Sequence, residues 1–326
     1  MSFKRILVAT DFSDFSDKAA EWGVFLAENY QANLTLLHSI VINGEFMALE
    51  SAITKFERYI ITATERSRQR FKPYLEKAAR KGIEVDYKIL TEIQSAADSI
   101  LKYIRESNYD LVVLGTHGRS GLKKWIYGSV SAKIVRLSPI PVLTVHLSHL
   151  EPAINKILVP VDFSEHSTKA MDFAIPLARK FKAGIEFFHV VDQEIHPVYN
   201  TASMRLLFKA DPQLKERSIQ LLSEFVEYHG EKAIYTATEG RAYREIVQYA
   251  QNNPVDLIVM ATRGLTGLKH LLIGSTTERV VQLAPCPVLT IGRNSYISRA
   301  RFENKPKNKK GYEKRKKLKT KNQKTD

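Results

Sequence analysis

Lys4–Val41, KRILVATDFSDFSDKAAEWGVFLAENYQANLTLLHSIV, is matched without a gap by Asn155–Asp192, NKILVPVDFSEHSTKAMDFAIPLARKFKAGIEFFHVVD. The offset is 151 residues, so Asp11 falls on Asp162, Ser13 on Ser164 and His38 on His189. Further along it drops to 146, where Gly118 falls on Gly264, Gly128 on Gly274 and Pro139 on Pro285. The second copy is five residues shorter, and this reading puts the loss between its second and third strands. A self-match of this length means one structural unit used twice, and 326 residues suit two units of about 150 each. The expected organisation is a first domain over 1–148, a second over 152–293, and a join near His149–Ala153.

Within the first copy RILVAT, NLTLLHS, VDYKIL, DLVVLG and PVLTVH read as short strands rich in Val, Leu and Ile. Helical patterns lie between them, at about Asp17–Tyr30, Ser51–Lys81, Ala96–Ser107 and Ser129–Leu137. Strands that are apolar throughout, rather than alternating, are buried on both faces, as in a parallel sheet covered by helices on each side. The expected fold is therefore α/β, with two doubly wound domains, each a five-stranded parallel sheet. Such sheets bind ligands beyond the carboxyl ends of their strands, where the winding reverses. That rule gathers Asp11, Ser39 and Gly115 on one rim, and Asp162, Val190 and Ala261 on another.

Directly after the fourth strand comes GTHGRSGLKKWIYGS, Gly115–Ser129, with four glycines in fifteen residues. ATRGLTGLKHLLIGS, Ala261–Ser275, repeats most of that placement. Glycines let an anion approach backbone amides closely, and Gly128-Ser129 opens a helix whose N-terminus offers free N–H groups and a positive dipole end. The plain alternative is a glycine-rich turn before a capped helix, with no ligand. Doubling of the pattern on the binding rim favours a phosphate. Lys123 and Lys269 sit at matching places in the two loops, as phosphate partners or as solvated lysines.

Asp-Phe-Ser after strand one, Gly-x2-Gly-x9-Gly-Ser after strand four and the ending Pro-x-Pro-Val-Leu together resemble the universal stress protein family. The resemblance covers both copies and implies a tandem member with the fold of the adenine nucleotide alpha hydrolases. It further implies ATP as ligand, with Mg2+ entering on the nucleotide and no metal site of the protein's own. Carried to matching positions, the first copy offers Ala9, Asp11, Ser39, Gly115, Gly118, Gly128, Ser129 and Val130. The second offers Pro160, Asp162, Val190, Gly264, Gly274, Ser275 and Thr276. Asp11 and Asp162 would lie by the ribose and adenine, or else form the turn and cap the following helix. Ala261 departs from the motif where Gly115 stands, either straining a φ > 0 backbone or crowding the ligand. The first copy is thus the expected ATP site. Related domains dimerise through the last strand, so strands 141–146 and 287–291 are expected to pair within the chain, leaving a homodimer open.

Charge and missing motifs narrow the function further. The net charge is +14, but residues 299–326 hold thirteen Lys or Arg against three acids, leaving only +4 for the rest. That basic tail reads as disordered, either a nonspecific hold on nucleic acid or a solubilising appendage. No apolar run approaches the length of a bilayer span, and MSFKRILVATDFS lacks the apolar region of a signal peptide, so a cytoplasmic protein is expected. One cysteine, Cys286, excludes an intrachain disulfide and reads as a buried, inert thiol. There is no zinc spacing among the nine histidines, no nucleophile elbow, no P-loop and no dinucleotide fingerprint. His38 and His189 are read as structural or pocket-wall residues. The expected function is nucleotide-dependent regulation in stress physiology with slow or no hydrolysis, at most a weak ATPase. The alternative is a scaffold that keeps the fold without the ligand.

Overall fold

The computed structural model describes residues 2–42, 52–92, 95–116, 128–147, 151–192, 211–227, 233–264, 274–292 and 295. Gly118, Lys123, Lys269 and the basic tail 299–326 lie outside the described residues.

In the first half the order is β1 (Arg5–Ala9), α1 (Asp14–Tyr30), β2 (Asn33–Val41), α2 (Ala52–Ala79), β3 (Val85–Glu92), α3 (Ala96–Glu106), β4 (Leu111–Gly115), α4 (Ser129–Leu137) and β5 (Val142–Val145). The second half repeats it with β6 (Lys156–Pro160), α5 (Glu165–Phe181), β7 (Gly184–Asp192), α6 (Pro212–Val226), β8 (Ala233–Gly240), α7 (Ala242–Asn252), β9 (Leu257–Ala261), α8 (Ser275–Leu283) and β10 (Val288–Ile291). The central strands β4 and β9 are buried at every position, as their unbroken apolar sequence requires.

Each half has the strand order 3-2-1-4-5, all parallel, so the winding reverses between the first and fourth strands. The base of each sheet is tied by an aspartate placed just before the fourth strand. Asp110 Oδ2 accepts from the Lys4 and Arg5 amides, and Asp256 Oδ2 from those of Asn155 and Lys156.

The two five-stranded sheets do not stay separate. β5 and β10 pair antiparallel, Leu289 opposite Leu143, to make one ten-stranded sheet in the order β3-β2-β1-β4-β5-β10-β9-β6-β7-β8. The expected pairing of strands 141–146 and 287–291 is therefore present. It removes two strand edges that would otherwise be open. Two fully buried threonines close the seam, Thr144 Oγ1 donating to the Val288 carbonyl and Thr290 Oγ1 to that of Val142. His146 Nε2 adds a bond to the Val281 carbonyl of α8, a further link between the halves. Packing follows the sheet: one core runs under α1, α2, α5 and α6, another under α3, α4, α7 and α8, and each draws on both halves. Phe25 stacks on Phe181 across the join, with ring centroids 5.5 Å apart.

The five missing residues of the second half are not all where the sequence reading put them. Between β2 and β3 the offset falls from 151 to 148, and a further two residues are lost between β8 and α7. Strand periodicity cannot register a shortened turn after β8, because both flanking elements keep their own pattern.

Candidate functional site

The site begins with a backbone that the sequence forces into an unusual shape. Phe12 and Phe163, central in the two Asp-Phe-Ser segments, adopt φ of 62° and 59°. That left-handed region costs a non-glycine residue roughly 1–2 kcal/mol, so something must hold it. Each ring packs on a histidine within the second strand of its half, Phe12 on His38 at 4.6 Å and Phe163 on His189 at 4.4 Å. Each histidine donates Nδ1–H to the carbonyl just past the first strand, His38 to Thr10 and His189 to Val161, both at 2.8 Å. Burial holds the His189 imidazole below its ordinary pKa, so it is kept neutral. The two histidines are braces for the turn.

The aspartates take the turn-forming role. Asp11 Oδ1 accepts from the Ser13 amide at 3.1 Å and from its hydroxyl at 2.6 Å, and Asp162 Oδ1 from the Ser164 amide at 3.0 Å. Ser13 and Ser164 cap α1 and α5. Oδ1 is thus committed to the fold, while the turn still sets each carboxylate at the strand's carboxyl end.

A second pinch lies across the switch point. The Gly128 amide donates to the Thr116 carbonyl at 3.0 Å, and that of Gly274 to Thr262 at 2.8 Å. Ser131 and Thr277 add side-chain bonds to the carbonyls of Gly115 and Ala261. Both ends of each glycine loop are thereby drawn to one place beside the first strand. α4 and α8 start with a glycine cap that provides no side-chain bond, unlike the serine-capped α1, α3 and α5. The cap residues thus provide no side-chain acceptor for the first-turn amides of α4 and α8.

In the first half these pieces enclose a cleft of about 230 Å3. Ala9, Asp11, Ser39, Gly115, Gly128, Ser129 and Val130 all line it, seven of the eight positions named from sequence, the eighth being Gly118. Sequence reasoning missed Ala96 and Ile100 on α3, which form the opposite wall. Their signal was only their place just after the third strand, on the rim where the strands end. Asp11 is the one carboxylate among the described lining residues, and no lysine, arginine or histidine joins it. Among the described residues no group of three or more His, Cys, Asp or Glu is set to hold a metal.

The second half reproduces the frame with different lining. Pro160, Asp162, Val190, Ala261, Gly264, Gly274, Ser275 and Thr276 occupy the matching strand ends, loop ends and first helical turn. The Asp162 carboxylate lies against Gly264, so close that a Cβ there would overlap Oδ2. Glu278 stands in the first turn of α8, where α4 has no acid. Both features set negative charge beside the amides that would meet a phosphate.

Gly115 answers the question raised by Ala261. Its φ is not positive; instead a Cβ would stand 2.8 Å from the Phe15 carbonyl carbon and 2.9 Å from its oxygen. The glycine is needed so that α1 can close onto β4, and the second half has room for the methyl of Ala261.

The comparisons agree with the duplication. The model of the universal stress protein family matches residues 2–146 and again 153–292. A universal stress protein E homolog from Haemophilus influenzae is 27% identical over 89% of this chain and 98% of its own length. A universal stress protein from Methanocaldococcus jannaschii is 34% identical over 42% of this chain and 81% of its own. Among solved structures, a universal stress protein from Archaeoglobus fulgidus has a TM-score of 0.62 at 21% identity, over 89% of this chain and 98% of that one, a likeness of fold.

Proposed function

The chain belongs to the universal stress protein family, and on that premise we propose that its first half binds ATP as the input of a cytoplasmic stress-response regulator. The observation that carries this is the convergence of Asp11, Ser39, Gly115 and the open N-terminus of α4 on one cleft. Helix N-termini free of a side-chain cap attract phosphate through their amides and dipole. At about 230 Å3 the cleft is smaller than the roughly 300–1,000 Å3 of drug-sized ligand pockets. It suits a nucleoside, with the phosphates running along the first turn of α4 toward residues 117–127. The described lining has no cation, so phosphate charge is met by amides and by Mg2+ arriving on the nucleotide. Universal stress proteins have been solved in complex with cAMP and, from Archaeoglobus fulgidus, with dAMP. Those ligands are properties of those proteins, and the reading here rests on this cleft.

Turnover is slow or absent in this reading. Asp11, the one carboxylate among the described lining residues, has Oδ1 occupied by two bonds from Ser13, which leaves it a poor general base. The second half is the structural partner: Asp162 against Gly264 and Glu278 on α8 oppose a phosphate there.

Calorimetric titration with ATP and Mg2+ tests this directly. The wild type takes up one nucleotide per chain. Ser129→Asp, an acid that helix N-termini tolerate well, weakens binding by about tenfold or more without lowering the melting temperature. Ser275→Asp leaves affinity and stoichiometry unchanged. No uptake at millimolar ATP, or equal affinity in Ser129→Asp, returns the chain to a scaffold without ligand.

A further inference from the structure

Phe12 has a second support, from α2. Arg70 Nη2 donates to the Phe12 carbonyl at 2.9 Å, and the Arg70 guanidinium carbon stands 4.7 Å from the centroid of the Phe12 ring. One cation thus holds both the backbone and the side chain of the left-handed residue, the first by a charge-assisted hydrogen bond and the second by a cation–π contact. Phe71 and Tyr74 of the same helix flank the ring, at centroid distances of 5.1 and 6.3 Å.

The halves can be compared here because the 151-residue register runs on into α2 and α6. It carries Tyr74 onto Phe225, each a ring partner of its turn phenylalanine, and Ser67 onto Ser218, each donating to the carbonyl four residues back. It also carries Phe71 onto Leu222, both fully buried. Where Arg70 stands, the same register sets Leu221, which has no donor for the Phe163 carbonyl. The second turn nevertheless keeps φ 59°, its histidine brace and the bond from the Ser164 amide to Asp162. The arginine is therefore not what makes the turn.

What it adds is read from one peptide plane. The Phe12 carbonyl and the Ser13 N–H belong to the same trans peptide, so they point in opposite directions and turn together. Arg70 holds the carbonyl end, and Asp11 Oδ1 holds the N–H end at 3.1 Å. A cation on the carbonyl polarises the amide and strengthens its N–H as a donor to the carboxylate. We propose that Arg70 is a positioning residue for the nucleotide cleft, fixing the Asp11 carboxylate through the Phe12–Ser13 peptide where a nucleoside meets it. This rests on the ATP reading of the first half. Arg70 lines a different cavity, between α1 and α2, and is not among the described residues lining the cleft, so it acts through Asp11 and not on the ligand.

Calorimetry on the full chain, with ATP plus Mg2+ and with adenosine as probes, compares Arg70→Leu, the residue of the second half, with Arg70→Lys. Arg70→Leu should weaken both probes by the same factor, roughly three- to tenfold, and Arg70→Lys, which keeps a cationic donor, should recover most of the loss. A loss for ATP alone, with neutral adenosine unchanged, would mean long-range attraction to phosphate and overturns the proposal. In an Asp11→Ala background there is no carboxylate to place, so Arg70→Leu should change affinity by less than about twofold. The full loss persisting there also overturns it. Reduced stability does not imitate this pattern, because well below the melting temperature nearly all of the protein is folded. In the free protein, hydrogen exchange at the Ser13 amide, followed by NMR, should be about threefold faster or more in Arg70→Leu and restored in Arg70→Lys. Unchanged exchange there rejects the clamp whether or not nucleotide binds. A wild type that takes up neither probe rejects the nucleotide reading and this role with it, whereas uptake that is equal in wild type and Arg70→Leu rejects only the role of Arg70.

Discussion

Phe12 and Phe163 show what a repeated residue can mean. Phe12 does not line the first-half cleft; it and Phe163 are each held in left-handed backbone by a histidine brace, which sets the preceding aspartate at the rim. Gly115 is governed by space, since a Cβ there meets the backbone of Phe15 and not a flexible side-chain end. Gly115→Ala should therefore cost about 1–3 kcal/mol of stability by urea denaturation, from overpacking. The mirror change, Ala261→Gly, should cost only about 0.5–1 kcal/mol, from added freedom of the unfolded chain. The His189 brace carries a pH signature. Its folded pKa lies below the ordinary 6.5, so the unfolded chain takes up the proton first. Its share of stability is complete above pH 6.5 and is lost as pH falls from there through the folded value. His189→Gln, which keeps a donor for the Val161 carbonyl, should flatten the stability curve in that window, as measured by chemical denaturation at stepped pH.

Among the elements, the helices divide by how they begin. α1, α3 and α5 have serine caps whose hydroxyls accept from the first turn, whereas the glycine caps of α4 and α8, like Arg241 before α7, make no side-chain bond. A helix start without a side-chain cap is less stable than a capped one. Gly128 has φ −60° and ψ 131°, values open to any residue. Gly128→Ser should then raise the melting temperature slightly, by a few tenths of a kcal/mol in stability. The same hydroxyl should weaken ATP in calorimetry by competing for the amides of α4. A variant that gains stability and binds ATP as before would show that those amides do not meet the phosphate.

For the whole molecule, the central feature is the antiparallel seam between β5 and β10, which makes two homologous sheets into one. Cutting the chain at residue 150 would expose β5 along its length, together with Phe25 of α1. The first half expressed alone should self-associate through that strand, giving twice the monomer mass in light scattering. Adding Leu143→Lys, which puts a charge on the seam opposite the former Leu289, should return it to monomer. A first half that is monomeric without that change would mean that the seam is held by the linker and not by its own pairing. Cys286 has no part in these contacts as a reactive group: it is buried, and burial pushes its thiol up to about 12. Among the described residues no helix is long and apolar enough to cross a membrane.

The duplication and the alternation of strand and helix were legible in the sequence because each rests on local periodicity read twice, whereas the cleft positions came from the resemblance of the Asp-Phe-Ser and glycine motifs to a family. Apolar runs of four or five residues demand burial on both faces, and the gapless match carries every position of one copy onto the other. What the sequence left open was decided by contacts between residues far apart along the chain. Whether Gly115 served backbone angle or space depended on how closely α1 approaches β4. Whether Asp11 formed a turn or faced the rim was resolved as both, because a carboxylate has two oxygens and the turn takes Oδ1. The reach of Arg70 to the Phe12 carbonyl was invisible in the sequence, since the two lie 58 residues apart and only the packing of α2 beside the first turn brings them together.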